Sequence, residues 1–146
     1  MWVAHLNRLP TRERLASWGV IASSDCSLCS VLPETRDHIL ITCNFASEIW
    51  RLVFCRLSPN LRMICTWSEL LSWPRQSSQA GPSLLRKIAA QASVYFIWKQ
   101  RNNMVHNLQH IPPSIIFRCI DREVRNTITS RRHRKHWKQL MLLWIH

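Results

Sequence analysis

Four residues in the stretch CSLCSVLPETRDHILITC, residues 26 to 43, have the side chains and the spacing of a metal site: Cys26, Cys29, His38 and Cys43. Zinc takes four thiolate or imidazole ligands in a tetrahedron. A CxxC pair can supply two sulfurs from one tight turn, and His38 and Cys43 can close the site from a later segment. With every position taken by protein, the ion would organise the fold and would not catalyse. The competing reading makes Cys26, Cys29 and Cys43 small buried apolar side chains, because free cysteine is among the most buried residue types. The turn CSLCS also lacks the glycine that often follows the second cysteine of such a knuckle.

The ligands need elements to hold them. Thr11 is placed as the N-cap of a short helix RERLASW, with Leu15 and Trp18 on one face and Gly19 ready for a left-handed C-terminal position. The stretch IASSDCSLCSVLPE has loop composition, and Thr35 can cap a helical turn through DHIL. On one ideal helix His38 and Cys43 would diverge by about 140°. The backbone is therefore expected to break between them, with Asn44 capping the next helix. That helix, FASEIWRLVFCRL, carries Phe45, Ile49, Leu52, Val53 and Leu57 as one apolar stripe.

Further on, residues 58–82 read as an irregular connection, free to vary, with a short helical turn near WSELLSW. A helix follows from Leu84 to about His106, with Leu84, Ile88, Ala92, Tyr95 and Trp98 on its apolar face. Pro112 and Pro113 separate it from a last helical segment in which Ile116, Ile120, Val124 and Ile128 recur every four residues. With two glycines, seven prolines and 47% apolar residues in 146, the chain is expected to be mainly α. It reads as a small helical domain organised around one zinc knuckle with a basic C-terminal helical tail. The expected division is a zinc-binding unit over 1–57, the connection 58–82, a helix over 83–107 and the tail over 108–146.

The net charge of +12 is uneven: residues 1–50 carry four arginines against five acids, and residues 51–146 carry sixteen Lys or Arg against three. Such a field attracts polyanions, of which phosphate backbones are the commonest; an anionic membrane would feel the same pull, and a merely solvated face has the same composition. In the block RRHRKHWK, Arg131, Arg132, Arg134, Lys135 and Lys138 are candidates to follow a phosphate backbone, with Trp137 stacking on a base. The same block has the composition of a nuclear-import signal. Arg101, Asn102 and Asn103 read as a helix end rather than a phosphate site. Cys55, Cys65 and Cys119 are expected in the core, as are Trp18, Trp50 and Trp98.

No secretory signal or membrane-spanning stretch is apparent, so the chain reads as intracellular, with the nucleus favoured by the basic block. Six cysteines in a reducing compartment point to metal ligation or burial rather than a disulfide framework. There is no glycine-rich phosphate loop and no catalytic triad to be argued, so no small-molecule substrate is expected.

Trp2, Leu9, Pro10, Thr11, Leu15, Gly19, Cys26, Cys29, Glu34, Thr35, His38, Cys43 and Trp50 stand in an order that resembles the zinc-binding domain at the C-terminal end of reverse transcriptases of plant LINE-type, non-LTR retrotransposons. The resemblance covers about residues 1–55. It extends more weakly through IWKQRNNMVHN, which is similar to the Trp-x-x-Arg-Asn segment that often follows this domain. It implies that Cys26, Cys29, His38 and Cys43 bind one structural zinc. It also implies a partner, RNA or DNA, held near a polymerase whose paired catalytic aspartates have no counterpart here. The chain is thus expected to be a non-catalytic fragment of such a polyprotein, begun at an internal methionine. The rival readings are a metal-free helical protein-interaction domain and a retroelement relic without function.

Overall fold

The computed structural model describes residues 1–57, 63–76, 78 and 81–145. It is 67% helical with no strand among the described residues. The helices are α1 (Trp2–His5), α2 (Arg12–Ser17), α3 (Asn44–Leu57), α4 (Trp67–Ser72), α5 (Ser83–Asn107), α6 (Pro113–Ser130) and α7 (Trp137–Ile145), with a π turn over His38–Thr42 and a 3₁₀ turn over Trp73–Arg75. No described helix is long and apolar enough to cross a membrane.

α5 is the spine. Leu85, Ile88, Ala89, Ala90, Ala92, Ser93, Val94, Ile97, Gln100 and Arg101 are all buried, which takes up most of its circumference. Its exposed strip carries Leu84 and Tyr95 beside Lys87, Gln91 and Lys99, and its buried side carries Arg86, Gln100 and Arg101, so amphipathic contrast is low and one apolar stripe describes it poorly. Leu84 and Tyr95, expected on that stripe, are exposed, and Trp98 is only half-buried. The small side chains Ala89, Ala92 and Ser93 let its neighbours approach, and α6, α3, the π turn and the 3₁₀ turn all pack on it.

α6 fits its sequence pattern: Pro112 and Pro113 open it, and Ile116, Ile120, Val124 and Ile128 are buried in one line. In α3, Phe45, Ile49, Val53 and Leu57 are buried as expected, joined by Trp50 and Phe54, while Leu52 is half-buried.

Four expectations need correcting. Part of the connection 58–82 is core: Thr66 and Glu69 form a reciprocal capping box on α4, and Trp67, Leu70 and Trp73 are buried. Trp73 packs edge-on against Trp50 and Phe54, which no freely varying linker would do. Residues 58–62, 77 and 79–80 of that stretch lie outside the described residues. Secondly, the tail over 108–146 is helical in α6 and α7 but not through its basic block. Residues 131–136 form an exposed turn, and α7 returns to the core through Trp137, Leu140 and Trp144. Arg56 on α3 donates to the Trp144 carbonyl at 2.8 Å, and the Trp144 indole donates to Asp121 on α6 at 2.9 Å. Thirdly, Cys55 and Cys65 are exposed and Cys119 is half-buried, because each sits off the buried face of its segment. Finally, Trp18 is 60% exposed beyond the end of α2, under the Arg14 guanidinium, while Trp50 is core as expected.

Candidate metal centre

The CxxC half of the site is a tight knuckle. Cys26 N–H donates to the Leu32 carbonyl and Ser30 N–H to the Cys26 carbonyl, each at 2.8 Å, and an isolated bridge joins Asp25 to Pro33. Closing this turn requires a left-handed residue just after Cys29. Ser30 takes that conformation, at φ 55°, where a glycine was missed in the sequence.

The other half is a π turn. Thr35 Oγ1 accepts from His38 N–H at 3.0 Å, capping it as expected. Cys43 N–H then donates to the His38 carbonyl at 2.7 Å, an i to i+5 bond. The wider turn makes a five-residue separation span one loop of backbone, so His38 and Cys43 point to one place where an α-helix would part them. The break expected before α3 is a widened turn followed by extended backbone at Cys43, whose carbonyl accepts the first helical bond from Ser47 at 2.8 Å. Cys43 therefore occupies the capping position expected of Asn44, which is the first residue of α3.

A π turn leaves carbonyls without their usual partners, and side chains of α3 supply them. The Trp50 indole N–H donates to the Leu40 carbonyl at 2.8 Å, and Ser47 Oγ donates to the Ile41 carbonyl at 3.2 Å. This accounts for a tryptophan seven residues after the last cysteine.

The structure brings the four predicted ligands together. Their ligand atoms all lie within 4.8 Å of one another. Cys26 Sγ is 3.9 Å from Cys43 Sγ, and Cys29 Sγ is 3.2 Å from His38 Nε2. Zn–S bonds of about 2.3 Å in a tetrahedron put sulfurs about 3.8 Å apart. Cys26, His38 and Cys43 are buried and Cys29 is half-buried. His38 Nδ1 faces Thr42 Oγ1 at 3.4 Å, which leaves Nε2 as the ligand atom and gives the other nitrogen an oxygen to donate to. The Cys26 and Cys43 thiols meet in the interior. Their hydrogen bond lowers Cys26 to about 5 against the opposing pull of burial; the same bond and burial raise Cys43. A dication at their midst removes that conflict. The donor set, burial and spacing fit one structural zinc.

Around the ligands is a residue whose partner the sequence did not reveal. Glu34 is fully buried at the knuckle's end. Its Oε2 accepts from Ser27 N–H at 3.0 Å and Ser27 Oγ at 2.7 Å, between the two cysteines of the turn. Its Oε1 accepts from Arg12 N–H at 3.0 Å, at the start of α2, where the Thr11 side chain makes no cap. The same oxygen faces Arg101 of α5 at 2.7 Å. Burial would raise this carboxyl, but the hydrogen bonds from Arg101 and Ser27 outweigh it and hold it below its ordinary range. Arg101 also donates to the Pro10 carbonyl at 3.1 Å and lies 4.7 Å from the Trp98 ring centre. Arg101 is therefore neither a helix cap nor a phosphate site. The Trp-x-x-Arg spacing that the sequence displays puts the Trp98 ring and the Arg101 guanidinium one helical turn apart, where they meet.

The predicted nucleic-acid residues lie apart from this centre. Arg131, Arg132, Arg134 and Lys135 are exposed at the α6–α7 turn, and Lys138 is exposed at the start of α7. Trp137 is only 6% exposed, with the Arg131 guanidinium 5.3 Å from its ring centre, so it is a support for the turn and offers no face to a base.

No curated protein and no solved structure matches the chain. Residues 1–50 match the model of the family described as zinc-binding in reverse transcriptase, a zinc-binding module distinct from the polymerase domain, and the match takes in the whole Cys26, Cys29, His38 and Cys43 cluster.

Proposed function

We propose that this protein is a non-catalytic zinc module of a retroelement reverse transcriptase, of the plant LINE type, that contacts nucleic acid electrostatically. The zinc shapes the N-terminal half, and the cations of the second half meet the phosphates. The observation that supports this most is the family match over residues 1–50 in a chain whose remaining residues carry almost all of its positive charge. Arg131, Arg132, Arg134, Lys135 and Lys138 form the contact, on a turn held by buried Trp137. A field of this kind binds phosphate backbones with little sequence preference and loses affinity as salt rises. The basic turn also suits nuclear import.

Two measurements test it. Elemental analysis of the purified chain should find one zinc, and none in the Cys26→Ser/Cys29→Ser variant, with helical signal lost on chelation. Fluorescence anisotropy should then show nucleic-acid binding that weakens steeply with salt. A folded, zinc-loaded protein that binds neither RNA nor DNA at low salt would overturn the proposal.

A further inference from the structure

The exposed face of α6 continues the basic turn. Arg118 and Arg122 are exposed four residues apart, and Arg125 is half-buried three residues later. At 100° per residue they lie within about 60° of one another, opposite the buried line Ile116, Ile120, Val124 and Ile128. Neither Arg118 nor Arg122 has an acidic partner among the described residues, whereas Arg125 is paired with Asp121 at 2.8 Å. The exposed acid of this helix, Glu123, sits about 100° round from Arg122. From Arg118 to Arg131 at the turn the row is about 20 Å long, at 1.5 Å per residue.

A single strand is held by cations together with exposed aromatic rings on which bases stack. This face exposes no Phe, Tyr or Trp, and its turn exposes the small imidazole of His133. Phe117 is half-buried with the Arg56 guanidinium 5.4 Å from its centre, and Trp137 and Trp144 are in the core. A membrane surface is gripped firmly when an apolar helix face inserts beside the cations, and the apolar face of α6 is buried against the rest of the fold. A row of cations on a regular helix, without a Phe, Tyr or Trp platform, suits the fixed phosphates of a duplex.

We infer that Arg118 and Arg122, with the basic turn 131–135, form a binding surface for the backbone of a nucleic-acid duplex rather than for a single strand. The inference rests on the nucleic-acid reading above and specifies its partner.

The test measures anisotropy of a labelled DNA duplex, an RNA duplex of the same sequence, and the separate strands, with the zinc-loaded full chain. Vesicles of phosphatidylcholine and phosphatidylserine in equal parts are the membrane probe. The expected result is tighter binding of a duplex than of either strand; which duplex binds better identifies the source of the phosphates. Arg118→Gln/Arg122→Gln, with unchanged helical signal and zinc content, should weaken duplex binding severalfold and reduce the slope of log affinity against log salt by about two. Tighter binding of single strands, or a double variant that binds the duplex as the parent does while Arg131→Gln/Arg132→Gln loses it, would overturn this inference and leave the nucleic-acid reading standing. Binding to vesicles alone, or to none of the probes, would overturn both.

Discussion

The Arg101 guanidinium lies 2.7 Å from the Glu34 carboxylate, both almost wholly buried, joining the C-terminal third of α5 to a knuckle 67 residues earlier in the chain. The zinc site is therefore braced by a helix beyond the residues that match the family. Removing one partner strands the other's charge in the interior. Arg101→Leu is expected to cost about 3 to 5 kcal/mol of stability, and Glu34→Gln/Arg101→Leu less than the sum of the two single changes. Denaturant titration of the zinc-loaded protein checks this; additive costs would mean that the pair does not act as a unit.

The same carboxylate gives a pH dependence. Its folded value lies below its ordinary one, so the unfolded chain binds the proton more readily. The stabilisation is complete above the unfolded value of about 4.3 and falls away as pH drops through the lower folded value. The stability gap between the parent and Glu34→Gln should thus be constant from neutral pH down to about 5 and narrow below that. Urea titrations at stepped pH would reveal a gap that instead widens in acid, contrary to this assignment.

Ser30 holds a left-handed backbone at φ 55° and is exposed, so its side chain has little to lose. Ser30→Gly should raise stability by about 1 kcal/mol by removing the Cβ conflict. A rise in Tm with one zinc still bound is the expected readout; a fall would show that the serine does something the knuckle needs.

Trp50→Phe keeps a ring beside Phe54 and Trp73 but withdraws the indole N–H from the Leu40 carbonyl. Leaving that acceptor unpaired in the core should cost about 1 to 3 kcal/mol. Hydrogen exchange should show the loss first at the Cys43 amide, which closes the π turn.

By itself the sequence picked out the four side chains that come together, because CxxC and the later His and Cys are local patterns whose geometry a few bonds impose. It likewise determined that α3 and α6 are helices with one buried line each, that Thr35 caps the turn into His38, and that Gly19 turns left-handed, at φ 72°. These depend on neighbours within a turn or two.

Tertiary structure decided what depended on distant partners. A residue type says nothing about which side chain arrives from far along the chain, so Arg101 looked like a helix end until Glu34 met it. Trp137 looked available to a base until α7 folded back, and Trp67 and Trp73 looked like linker until Arg36 lay over the one and Trp50 and Phe54 packed on the other. Periodicity marks one face of a helix, and in α5 the exposed strip Leu84, Lys87, Gln91, Tyr95 and Lys99 mixes apolar with polar side chains while Arg86, Gln100 and Arg101 are buried. The π turn too was out of reach, since its carbonyls are satisfied by Ser47 and Trp50 only once α3 has packed beneath it.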